Sequence, residues 1–210
     1  MIGSQPEKQL RRLERLMDIV FGLVIWRIFT LLPQPEMDDL QWDSVAEMLV
    51  SEWASFVVPV LSILIVTIYW LQNNAMFSKL KATNAVHTGI SVFQLFFVLF
   101  YLYALGLGLR VGSAADTRVL ESAAAALVGA TSLLGWWYAS SRADLVAEEV
   151  TREEVRQFRE SNVAEPLTAL LTIPAAFIGP WAWEASWFLY PFLKKFLDRR
   201  KAAAAVHEVW

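Results

Sequence analysis

The chain has 210 residues, 56% of them hydrophobic and only 19% charged, with thirteen Phe, ten Trp and a formal net charge of −3. A soluble domain of this size needs more polar groups to cover its outside, and no basic stripe with interleaved aromatics offers nucleic acid a footing. The absence of Cys removes disulfides, thiolate metal sites and Cys nucleophiles together.

About 20 apolar residues are needed to cross ~30 Å of hydrocarbon at ~1.5 Å per residue. Runs of that kind predict an all-α polytopic membrane protein, one domain over 1–210, with six spans near 16–32, 54–72, 86–109, 121–140, 164–179 and 183–197. The first sixteen residues, MIGSQPEKQLRRLERL, are polar and no small-residue cleavage site follows, so the first span is expected to remain rather than be removed as a leader. The third span is the most apolar, with FQLFFVLFYLYALGLGL at its centre. The fourth holds the small-residue run Ser122–Gly135, a close-packing face in a membrane bundle. After it, Ser141–Asn162 reads as a charged, solvated extension of the fourth helix, with a regulatory or partner-binding role as the alternative. The fifth and sixth spans are short and joined at Gly179-Pro180, and the tail KAAAAVHEVW is expected to fray. Trp136, Trp137, Trp181, Trp183 and Trp187 read as interface belts.

Loop charge sets the expected orientation. With an inner N-terminus, fifteen of the eighteen basic residues fall on the cytoplasmic side, and only Arg110 and Arg118 outside. The loop after the first span, PQPEMDDLQWDSVAEMLVSEW, carries six acidic residues and no basic one. Both termini are therefore expected in the cytoplasm.

Chemistry-bearing patterns are sparse. The two His residues, His87 and His207, lack metal-ligand spacing, and no phosphate-cradling glycine loop is present. No enzyme, metal or cofactor is expected. The polar groups of the first span stand out instead. Arg12 and Arg15 lie within two turns of Asp18, close enough for a neutralising cluster, with snorkelling anchors as the alternative. Arg27 lies ~9 Å from the outer end, where a charge must snorkel, pair or face water. Glu36, Asp38 and Asp39 are candidate partners, and a pore-facing position is the other reading. Thr88, Ser91, Gln94 and Thr131 suit interhelical hydrogen bonds or a hydrated path.

Arg12-Leu-Glu-Arg-Leu16-Met17-Asp18, followed by IVFGLVI, resembles the RxxxFSD signature opening the first helix of the transmembrane-protein-175 potassium channels. Trp70-Leu-Gln-Asn73-Asn74-Ala-Met-Phe77 resembles that family's W-x-x-H-H-x-x-F passage. The resemblance covers the first half by motif and the second by hydropathy. It implies a homotetramer in a bacterial inner (plasma) membrane, with first helices lining a central pore and an apolar side-chain constriction in place of a carbonyl filter. The implied pore positions are Leu23, Arg27 and Thr30, with Leu23 as the constriction and Arg12 and Asp18 organising the inner mouth. Six substitutions depart from the pattern: Leu16 and Met17 for Phe and Ser, Asn73 and Asn74 for the His pair, Trp26 for a Thr, and Arg27 for a large apolar residue. The implied partners are potassium or another monovalent ion, the lipid bilayer and further copies of the chain. Because rings of Arg favour anions, an anion-permeable or non-selective pore is the alternative within the class, and a non-conducting membrane scaffold the alternative outside it.

Overall fold

The computed structural model describes residues 4–33, 42–112 and 114–197. Among them run eight helices, α1 (Gln5–Phe29), α2 (Val45–Ser51), α3 (Trp53–Phe77), α4 (Ala85–Val111), α5 (Ala115–Ser140), α6 (Arg152–Ser161), α7 (Ala164–Ile178) and α8 (Pro180–Ser186). A turn at 187–188 leads into a further helical stretch, 189–197. Glu36, Asp38, Asp39, His207 and the alanine-rich tail lie outside the described residues.

The all-helical architecture agrees with the sequence reading. Among the described residues, four stretches are long and apolar enough to cross a membrane: Ser55–Phe77, Ala85–Val111, Ala115–Ser140 and Arg152–Ile178. By that measure α1 falls short because Arg11, Arg12, Glu14, Arg15, Asp18 and Arg27 interrupt its apolar run. Its helix starts well before the expected span, with Pro6 in the first turn, where a missing N–H costs nothing.

Small residues let the helices approach. The hairpin of α4 and α5 turns at Gly112, whose φ of 101° suits a residue without Cβ. On the far side α5 packs on α7 through the expected small-residue face, where Ala124 and Ala125 are fully buried. A Cβ at Gly129 would sit 2.8 Å from Cδ of Pro166. Since lipid tails are as apolar as Leu, such contacts hold by dispersion and hydrogen bonds rather than by expelling water.

Polar links tie the end of the bundle where α4 turns into α5. Arg118 is buried, and its Nε and Nη2 donate to the Ala176 carbonyl at 3.0 and 2.6 Å, capping the last turn of α7. Glu121 and Glu184 lie within electrostatic reach of the same guanidinium. Ser122 shares a 2.6 Å hydrogen bond with Thr172 and accepts one from Trp183 Nε1 at 2.8 Å.

Two expectations are corrected. The segment after α5 does not extend that helix: it folds back so that Ala147 N–H donates to the Lys79 carbonyl and Lys81 N–H to the Leu145 carbonyl. Lys81 and Glu148 close this crossing at 3.2 Å, and Leu145 is buried beneath it. The separate helix α6 starts at Thr151, whose hydroxyl and the Glu154 carboxylate form a reciprocal capping box. Nor are all the tryptophans interfacial. Trp136 is fully buried, donates to the Val155 carbonyl at 3.2 Å and packs edge-on to Phe158, and Trp183 is buried against Ser122. Each indole N–H there has a protein partner in place of water.

Candidate functional site

One face of α1 is buried and the opposite face is left bare. Leu10, Leu13, Met17, Phe21, Val24 and Ile28 recur every three or four residues and pack against α3 and α4. The bare face carries Leu16, Ile19, Leu23 and Trp26, the last three 57–63% exposed. Large apolar side chains in a continuous stripe, on a helix packed on its other side, form a surface for lipid or for another protein surface.

At 3.6 residues per turn, Leu23, Arg27 and Thr30 fall within about 60° of one another on this bare face. Arg27 Nη1 donates to Thr30 Oγ1 at 2.9 Å, and Thr30 Oγ1 donates to the Arg27 carbonyl at 2.7 Å. The cation thus lies along the last turn of α1, where the helix dipole favours positive charge. It also edges a cleft of about 310 Å³ between α1 and α4, lined by Leu31, Leu102, Tyr103 and Arg110 among others. Among the described residues, two guanidiniums and no carboxylate line that cleft.

Arg12 and Asp18 do not meet. Among the described residues no ion pair joins them; Arg12 is exposed, and Asp18 accepts a 2.9 Å hydrogen bond from Trp70 Nε1 on α3. This bond links the two motif segments by way of the indole. Asp18 and Arg27 flank the bare stripe, one on the α3 side and the other on the α4 side.

Beneath the first half of α1 lies a buried polar group that includes Ser91 and Gln94, two of the polar residues expected within a span. Asn73 and His87 are fully buried, and Ser91 and Gln94 nearly so. His87 Nδ1 shares a 2.9 Å hydrogen bond with Thr83, which lies 3.3 Å from Thr88, which in turn accepts from Gln9 of α1 at 3.4 Å. Phe77 meets the His87 ring edge-on at 6.0 Å. The Asn73 amide has no hydrogen-bond partner among the described residues, while Asn74 is exposed. No group of three His, Cys, Asp or Glu capable of holding a metal occurs among the described residues.

Residues 12–101 match the family model described as endosomal/lysosomal potassium channel TMEM175. No curated protein matches the chain. Two solved structures share its fold. The structure described as a lysosomal potassium-selective channel TMEM175 homolog from Chamaesiphon minutus is 16% identical, over 90% of this chain and 98% of that one, with a TM-score of 0.72. The potassium channel MtTMEM175, as a variant in complex with a Nanobody-MBP fusion, is 17% identical over 92% of this chain and 93% of that one, with a TM-score of 0.60.

Proposed function

We propose that this chain, whose residues 12–101 match the TMEM175 family model, is an ion channel of that kind, a homotetramer whose α1 helices surround the conduction path. The observation that carries this reading is the bare α1 stripe, apolar from Leu16 to Trp26 and backed by a fully buried face. Four such stripes facing one axis would form an apolar constriction at Leu23, which admits ions only when it is wide enough to stay wet. In this reading six segments cross the membrane, with α1 and the last helical stretch shielded by their neighbours and both termini cytoplasmic. Asp18 and Trp70 hold the inner half of α1 to α3, while Arg12 lies free to face headgroups or the inner mouth.

Potassium is the simplest permeant ion, since both solved relatives are described as potassium channels. Arg27 supports a second reading. It shares the face of Leu23 and joins Arg110 at one cleft, and a pair of guanidiniums repeated around a tetramer favours anions or removes selectivity. Flux through the reconstituted protein, measured separately with K⁺, Na⁺ and Cl⁻, tests both. K⁺ flux above empty vesicles, exceeding Na⁺ flux, supports the first reading; Cl⁻ flux or indifference between ions supports the second. No flux of any ion returns the chain to the scaffold class.

A further inference from the structure

Away from α1, two adjoining clefts run along the seam between α3 and the last helical stretch, sharing Ile68, Leu71 and Tyr190. The larger, about 410 Å³, is lined mainly by apolar side chains such as Leu61, Leu64, Ile65 and Phe188. The smaller, about 210 Å³, is the more polar of the two and holds Gln72, Asn162 and Lys194. It lies where α6 gives way to α7 and α3 nears its end, the side the loop charges assign to the cytoplasm.

The polar cleft contains groups with unmet hydrogen-bonding capacity. Gln72 is 6% exposed, and neither atom of its amide has a partner among the described residues. Asn162 is 5% exposed with its Nδ2 likewise unpartnered. Buried amides of this kind cost free energy unless something satisfies them. Lys194 Nζ donates to Tyr190 Oη at 3.1 Å, which leaves the ammonium with further hydrogens to give. Glu165, also buried, borders the apolar groove beside Tyr190 and within electrostatic reach of Lys194.

We propose that this seam binds a bilayer phospholipid, with an acyl chain in the apolar groove and an anionic phosphodiester headgroup bearing hydroxyls in the polar cleft. The gradient from apolar to cationic over one continuous groove matches such a molecule and no freely soluble anion. Lys194 faces the phosphate, and the Gln72 and Asn162 amides hydrogen-bond the phosphate and head-group oxygens. Glu165 shares the Lys194 charge, which favours a singly charged headgroup over a doubly charged one. Phosphatidylglycerol has this chemistry; phosphatidylcholine lacks the hydroxyls and the net charge.

The test uses the purified full chain, delipidated in detergent and titrated with phosphatidylglycerol, phosphatidylcholine or inorganic phosphate, with bound molecules counted by native mass spectrometry. Binding is read by mass, so the result does not depend on conduction. Phosphatidylglycerol is expected to bind about tenfold more tightly than phosphatidylcholine, and phosphate alone not to register. Lys194→Gln and Leu64→Trp should each lower that affinity about tenfold, while Lys194→Arg retains it and guards against a folding defect. Equal binding of the two lipids, or unchanged binding in both Lys194→Gln and Leu64→Trp, overturns the proposal. So does inorganic phosphate binding as tightly as the lipid, which makes the cleft an anion site. A lowered oligomeric mass in Leu64→Trp with lipid count intact overturns it too, because the groove then seats a second copy of the chain.

Discussion

Trp70 Nε1 on α3 donates a 2.9 Å hydrogen bond to Asp18 on α1, so the two motif segments meet through an indole and a carboxylate. Asp18 is exposed, so the bond competes with water and contributes modestly, about 0.5–1 kcal/mol. Trp70→Phe and Asp18→Asn are each expected to lower the thermal midpoint slightly in detergent. In a double-mutant cycle the pair should show coupling of about that size. Additive losses would mean that the indole and the carboxylate act separately.

Arg118 is expected to be far less tolerant than its neighbour in the same turn region. Its guanidinium caps the Ala176 carbonyl twice while standing near the buried Glu121. Arg118→Met removes both hydrogen bonds and leaves the Ala176 carbonyl uncapped, at a cost of about 2–3 kcal/mol. Arg110→Met, at an exposed position, should stay within about 0.5 kcal/mol. Thermal unfolding of both variants in one detergent checks the contrast, and comparable losses would remove the capping role.

The α5–α7 contact gives a steric test. A methyl at Gly129 would meet three Pro166 atoms at 2.8–3.0 Å, one of them the backbone nitrogen, so the helices must separate. Gly129→Ala is therefore expected to destabilise by about 1–3 kcal/mol. Gly89→Ala, with nothing within 4 Å of the added carbon, should be neutral or stabilising by up to about 1 kcal/mol. If Gly129→Ala melts like Gly89→Ala, the close approach is not needed for stability.

How far the residues foretold these features depends on whether the signal is local. Apolar runs mark α3, α4 and α5, because a helix in lipid declares itself by composition alone. The helical register of α1 already groups Leu23, Arg27 and Thr30. It also carries Ile19 and Trp26, which are at least as exposed as Leu23 and stand nearer the centre of the bare face. The break after α5 was legible in principle: Thr151-x-x-Glu154 is a helix-start signal, which the surrounding charge pattern obscures. Other features were not legible. Trp136 and Trp137 are chemically identical neighbours, yet the first is fully buried and the second exposed, since only tertiary packing selects the face. Asn73 and Asn74 differ in the same way. The reach of Trp70 to Asp18 spans fifty-two positions, and no periodicity encodes it.

The deciding prediction concerns Leu23 and Arg27. If their face turns to the axis of a tetramer, Leu23→Ala widens and wets the narrowest apolar ring, and flux should rise about tenfold or more, a change needing only ~1.4 kcal/mol off the barrier. Selectivity among monovalent ions should fall with it. Arg27→Leu removes four like charges; neighbouring guanidiniums ~10 Å apart at an effective dielectric of ~20 repel a cation and one another by about 1–2 kcal/mol per pair. K⁺ flux should therefore rise by about tenfold or more, and any Cl⁻ flux should fall. The hydrogen bond from Arg27 to Thr30 allows a control, because Thr30→Val frees the guanidinium without removing it. If the charge acts on ions in the pore, Thr30→Val should alter flux less than Arg27→Leu does. If Arg27 serves only the end of its own helix, Arg27→Leu and Thr30→Val should lower thermal stability alike and leave the K⁺ to Cl⁻ ratio unchanged. Permeation unaltered in both Leu23→Ala and Arg27→Leu, in a protein that conducts, would place the α1 stripe against lipid or a neighbouring subunit rather than against the ion.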